Sequence, residues 1–224
     1  MKIYYYTDVK HAIDDVCNEH IKVSQLGKVN DPNEWLPNIT DAGGRIKVPV
    51  KDSQRWIAEH WGNKYGFVSF AKDWNIAPLW GNYAAHYSGI VFELEVVDED
   101  KILEVKYNDV RPCLSMETSK ENFYKALSTK AKAWEYEQEV RFLAQLDDDS
   151  CEVKDGLYFA PMGVISPKLR AKISLMRVIC GPRIEPSRVI EISQTLDLLW
   201  NGKSAIQVVK TGFDQKTYLL LQMP

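Results

Sequence analysis

The chain has 224 residues, of which 45% are apolar and 11% aromatic, enough to bury a sizeable core. A formal charge of -3 excludes a surface that is basic throughout, as general nucleic-acid binding requires, while a local Lys/Arg patch stays open. Cys17, Cys113, Cys151 and Cys180 form no C-x-x-C pair and have no His at zinc spacing, so free thiols are expected rather than a disulfide frame.

Lys2 to Thr7 is aromatic and reads as a first strand, after which Asp8 caps a helix to about His20 carrying Ala12, Ile13 and Val16. Ile21 to Ser24 is a short strand, and Asn30-Asp31-Pro32-Asn33-Glu34-Trp35 is a shaped loop, because Pro fixes its own φ and restricts its neighbour. Ser53 to Trp61 reads as a helix and Phe67 to Phe70 as a buried strand. Pro78 to Tyr87 is expected to be helical and to end at Gly89. Ile90 to Val97 and Ile102 to Tyr107 read as a hairpin turning at Asp98-Glu-Asp-Lys, and Ser119 to Ala133 as a helix. Asp147 to Asp149 is a solvated turn, Met176 to Cys180 a strand broken by Gly181-Pro182, and Ser187 to Trp200 a helix. Ile206 to Val209 and Tyr218 to Leu221 close the chain as strands. With no repeat or linker, residues 1–224 are read as one α+β domain with antiparallel strands packed by helices. The amino terminus lacks a signal-peptide core and no run of about 18 apolar residues occurs, so a soluble cytoplasmic protein with no membrane partner is expected.

The segment Tyr136 to Leu146 carries the chemistry. Extended, it places Glu137, Glu139 and Arg141 on one face and Val140, Phe142, Ala144 and Leu146 on the other. A carboxylate so placed can bind a ribose hydroxyl or stabilise a cation. The plain alternative is a solvated row in which both glutamates pair with Arg141 and nearby lysines, at most about 1 kcal/mol per pair. Trp80, Tyr83 and Tyr87 share a helix face, with Trp80 read as packing and Tyr83 as the one with a hydroxyl to place. Asn30, Asp31 and Glu34 form a polar corner, explained first by turn formation. Arg141 and Lys130 could hold a diphosphate or simply screen the acidic pair. Neither Gly43-Gly44-Arg45 nor Gly62-x-x-x-Gly66 has the context of a phosphate loop, no Gly-x-Ser-x-Gly elbow occurs, and no metal is expected.

Taken together, the aromatic first strand, Asn30-Asp31-Pro32-x-Glu34, Val68-Ser69-Phe70, Leu79-Trp80-x-x-Tyr83 with Gly89, and Trp134-x-Tyr136-Glu137-x-Glu139-x-Arg141 resemble the bacterial family catalogued as domain of unknown function 2971. That family is distantly similar to the ADP-ribosyltransferase group. The resemblance implies a split, mostly antiparallel β-sandwich and NAD as substrate, with relatives in bacterial phage-defence and toxin systems. By position it implies that Tyr5 or Tyr6 holds the NAD ribose, Ser69 and Tyr83 support nicotinamide, and Glu139 or Glu137 is the catalytic carboxylate; in an NAD-using enzyme of this kind Arg141 is expected near the diphosphate. Tyr stands where such transferases carry His or Arg on strand one, and a phenol brings no charge. Two alternatives remain: a non-catalytic module of the same fold that binds a nucleotide, nucleic acid or partner protein, and a Mg²⁺-dependent nuclease using Asp31, Glu34, Glu137 and Glu139.

Overall fold

A computed structural model gives the fold, describing every residue except 27, 30, 32, 117–118, 148–150, 166–170, 200–205 and 224. The strands are β1 Lys2–Thr7, β2 His20–Gln25, β3 Asn38–Thr40, β4 Ile46–Val48, β5 Tyr65–Ala71, β6 Ile90–Val96, β7 Leu103–Glu104, β8 Lys106–Asn108 and β9 Cys113–Ser115, followed by β10 Thr129–Ala131, β11 Glu139–Gln145, β12 Glu152–Lys154, β13 Leu157–Pro161, β14 Val164–Ile165, β15 Ala171–Cys180, β16 Gln207–Phe213 and β17 Leu220–Gln222. The helices are α1 Val9–Asn18, α2 Val50–Trp61, α3 Ala77–Asn82, α4 Lys120–Leu127 and α5 Pro186–Leu199, with 3-10 turns at Ala85–Tyr87, Glu99–Lys101 and Lys132–Glu137.

The architecture is α+β, and its large sheet is mostly antiparallel, with a parallel β15–β16 pair. β5 is the branch point. One of its edges pairs with β11 throughout. The other is shared, with β2 bonded to its start through Ser24 and Gln25 and β1 to its end at Tyr4. β1 and β2 therefore diverge from β5 as the tines of a fork. Beyond β2 lie β13 and β12; beyond β1 lie β6, β15, β16 and β17.

Both tines contribute to one core. Val68, Phe70, Val140 and Phe142 come from β5 and β11, Phe92, Leu94 and Val178 from β6 and β15, and these meet Ala12 and Val16 of α1 and Val189, Ile192 and Leu196 of α5. α1 starts where expected, the Asp8 carboxylate accepting from the His11 amide at 2.9 Å. α4 likewise starts at Ser119, whose side chain accepts from the Asn122 amide. No helix among the described residues is long and apolar enough to cross a membrane.

Four expectations are corrected. β11 begins only at Glu139, because Lys132–Glu137 winds as a 3-10 turn and Gln138 takes the left-handed conformation at φ 46°, so Glu137 is not on the strand. The hairpin after Ile90 does not form: β6 is flanked by β1 and β15, β7 joins β11, and β8 pairs in parallel with β10. The helix from Ser119 stops at Leu127, and Thr129–Ala131 is β10. α3 ends at Asn82, and Gly89 serves a close approach instead, since a Cβ there would lie 2.5 Å from the Thr7 carbonyl oxygen. The short strands β3, β4, β9, β12 and β13 were not anticipated at all. Of the acidic run, Asp147 is an exposed turn residue, and residues 148 and 149 lie outside the described part, as does Trp200.

Candidate functional site

The fork opens onto a cleft of about 560 Å³, within the range of small-molecule sites. β1 supplies Tyr5 and Tyr6, β5 supplies Ser69, and Tyr83 follows α3. Lys130 of β10, Glu137 of the 3-10 turn, and Glu139 and Arg141 of β11 complete this end, with Asp31 and Glu34 from the loop. Asn30 lies outside the described residues.

These side chains form a buried ionic knot. Arg141 is 1% exposed. Its Nε and Nη2 donate to Glu139 at 2.6 and 3.0 Å, Nη2 also donates to Glu34, and Nη1 donates to the Leu127 carbonyl at 2.7 Å. The guanidinium lies against the Phe67 ring, 4.6 Å from its centroid. Lys130 Nζ donates to Glu137 Oε2 at 2.5 Å and to Glu139 Oε2 at 3.0 Å, and stands 4.0 Å from Glu34. Ser69 Oγ donates to Glu139 Oε1 at 2.5 Å, and Tyr83 OH donates to Glu137 Oε1 at 2.9 Å. The Glu139 amide donates to Tyr107 OH at 2.7 Å. Trp134 Nε1 donates to Asp31 at 2.7 Å, tying the loop to the 3-10 turn, while the Trp134 ring lies against Lys130.

The two glutamates differ in what they have left to offer. Glu139 accepts two bonds on each oxygen, which uses the four lone-pair sites of a carboxylate. Glu137 accepts one on each, so half its capacity remains for a ligand. Their acidities split accordingly. Burial pushes Glu139 up, but Arg141, Lys130 and the Ser69 hydroxyl outweigh it and hold the carboxyl at about 2. At Glu137 burial prevails over Lys130, and the carboxyl lies above its ordinary value. Tyr83 is pushed up by burial and then by Glu137, so it is a firm donor. Lys130 and Arg141 are raised despite burial, because the glutamates favour their charged forms.

Tyr5, Tyr6, Ser69, Tyr83, Glu137, Glu139, Arg141, Asp31 and Glu34 thus border one hollow, but not every expected role fits. Tyr6 OH donates to the Asp73 carbonyl at 2.9 Å and accepts from the Ile76 amide, anchoring a turn. Arg141 is committed to Glu139 and Glu34 and cannot present a fork to a diphosphate. Trp80 is a packing residue, fully buried against Tyr6 and Tyr87. The Lys130 ammonium occupies the point where Glu34, Glu137 and Glu139 converge, which is where the nuclease reading needs Mg²⁺. Among the described residues no three His, Cys, Asp or Glu side chains are grouped to hold a metal ion. Sequence reasoning quoted Trp134 in the motif without giving it a role, and missed Tyr107 and Asp15. Of these two, only Asp15 carries a signal, a carboxylate set between Ala12 and Val16 on the apolar stripe of α1.

Neither a protein-family model, a curated protein nor a solved structure matches the chain.

Proposed function

We propose that the chain is an ADP-ribosyltransferase-like protein that binds NAD in the fork of its sheet, the two tines being the halves of a split β-sandwich. The observation that carries this reading is the meeting of Glu137 and Glu139, from a late segment, with Ser69 and Tyr83 from earlier ones around the hollow bordered by Tyr5. It agrees with the resemblance drawn from the sequence. Glu137, with lone pairs to spare, accepts a ribose hydroxyl. As the bond from the sugar to nicotinamide breaks, its electron pair leaves with the nicotinamide nitrogen, and the positive charge left on the sugar is stabilised by the carboxylate. Glu139 is the positioning residue, fixing Lys130 and Ser69 around Glu137. Tyr83 and Ser69 border the nicotinamide, and the exposed Lys22 and Lys28 on the cleft rim replace Arg141 as partners of the diphosphate.

A second reading is favoured by one contact. Lys130 lies within 3.0 Å of both carboxylates and offsets the negative charge that a developing cation would use. In that case the cleft binds nucleotide without turnover. Thermal shift with NAD and chromatographic assay of released nicotinamide separate the two. NAD is expected to raise the melting temperature of the protein, and Glu137→Gln is expected to cut nicotinamide release by about a hundredfold or more. Equal release by the variant removes the catalytic assignment; binding with no release establishes the module.

A further inference from the structure

The opposite end of the same cleft holds polar groups that the carboxylate knot does not use. Asp15 of α1 lines the cleft and is 2% exposed, yet its Oδ2 makes no hydrogen bond with a described residue. A buried carboxyl oxygen without a partner works against folding, so its presence needs a reason that folding does not supply. Tyr5 lines the same end. Its ring packs on Phe70 and Phe92 at centroid distances of 5.9 and 6.4 Å, and its hydroxyl forms no hydrogen bond with a described residue. Val23, Phe70, Leu157 and Phe159 supply apolar wall. Burial, then the charges of Asp14 and Asp8, push the Asp15 carboxyl up to about 8. Near neutral pH it therefore presents an O–H donor beside a carbonyl acceptor.

We propose that this end of the cleft seats a planar heterocycle carrying an adjacent hydrogen-bond donor and acceptor on one edge, as an aminopurine does, with Asp15 pairing that edge and Tyr5 contributing its hydroxyl. Two antiparallel bonds close between a carboxylic acid and such an edge, and the aromatic walls cover the ring faces. The seat depends on the NAD reading only for the name of the base: in a dinucleotide whose nicotinamide ribose lies at Glu137, the heterocycle is adenine. The groups facing Asp15 are Asp8 and Asp14 at α1, Tyr5 of β1, and His20 and Lys22 of β2, with Glu152 of β12 behind His20.

The test is calorimetric titration with AMP, and with AMP doubly methylated on its exocyclic amine so that the edge is blocked. AMP is expected to bind the wild-type chain, and Asp15→Leu to weaken it by about tenfold or more. Asp15→Asn, which keeps a donor beside an acceptor, is expected to retain affinity. The methylated nucleotide is expected to bind wild type no better than AMP binds Asp15→Leu. Raising the pH from about 7 to about 9.5 is expected to weaken binding to wild type, as Asp15 loses its proton, and to leave Asp15→Asn unchanged. The last comparison decides the matter if Asp15→Leu fails to fold: superimposable pH curves overturn the seat. Equal affinity of Asp15→Leu and wild type overturns it too, as does the absence of AMP binding at millimolar concentration. Asp15-dependent AMP binding without nicotinamide release removes the enzyme and keeps the seat; nicotinamide release with AMP indifferent to Asp15 does the reverse.

Discussion

Glu137 and Glu139 are separated by one residue and share Lys130, yet burial wins at the first and charge wins at the second. The difference is Arg141, which reaches Glu139 with two nitrogens and Glu137 with none. Glu139→Gln leaves a guanidinium that is 1% exposed with Glu34 as its remaining carboxylate partner. Breaking a buried pair from one side costs about 3–5 kcal/mol, so the urea midpoint of this variant is expected to fall steeply; a loss below about 1 kcal/mol would mean that Glu34 alone satisfies Arg141. Glu137→Gln, whose amide oxygen can still accept from Lys130 while its NH2 donates to a Tyr83 hydroxyl turned to accept, is expected to cost about 1 kcal/mol or less. Different stabilities with a shared loss of activity would therefore separate the positioning carboxylate from the one that meets the ligand.

At the scale of elements, the 3-10 turn from Lys132 to Glu137 and the left-handed Gln138 after it turn a would-be strand face into a convergent site. Gln138 donates its amide to the Glu135 carbonyl, and its own carbonyl accepts from the Lys72 amide, so the surroundings hold its φ of 46°. A non-glycine residue in this region is strained by about 1 kcal/mol, which glycine relieves at some cost in unfolded-state entropy. Gln138→Gly is expected to be neutral to mildly stabilising and Gln138→Val destabilising, read from melting temperatures; a large loss with Gly would show that the side chain matters and not the conformation. In sequence these residues read as extended, because alternating Glu, Glu and Arg fit a period of two. Glu137 and Glu139 nevertheless converge, because Lys130 donates to both. Long apolar runs such as β1, β5, β6 and the end of β15 were legible, as were the caps Asp8 and Ser119, because their signals are local. The partner of β6 was not, since β1 and β15 claim both its edges from distant parts of the chain. Three-residue strands such as β3 and β9 carry no period to read. The burial of Arg141 escaped notice because a charged row on a strand is ordinarily solvated, and only the fold brings Phe67, Trp35 and Glu34 over it.

For the whole molecule, the two ends of the fork cleft set opposite pH dependences. Glu139, held at about 2 against an ordinary value of 4.5, contributes stability that is complete above about pH 5 and is lost as pH falls toward 2. Asp15 acts in the other sense. Buried, and flanked by Asp14 and Asp8, it titrates at about 8 when folded against 3.8 ordinarily, so across that window the native state holds a proton that the unfolded chain has released. Its contribution is therefore most favourable below about pH 4 and erodes steadily as pH rises through 8. Where the two slopes cross, stability is expected to peak on the acid side of neutrality, near pH 4–5, rather than in the usual range of about 5–8. Asp15→Asn removes the alkaline slope without removing polar volume, so its melting temperature is expected to match wild type near pH 4 and to exceed it increasingly toward pH 9. Parallel melting curves for the two proteins across that range would show that Asp15 is ionised in the folded state, and that the strain at this end of the fork is carried by another group.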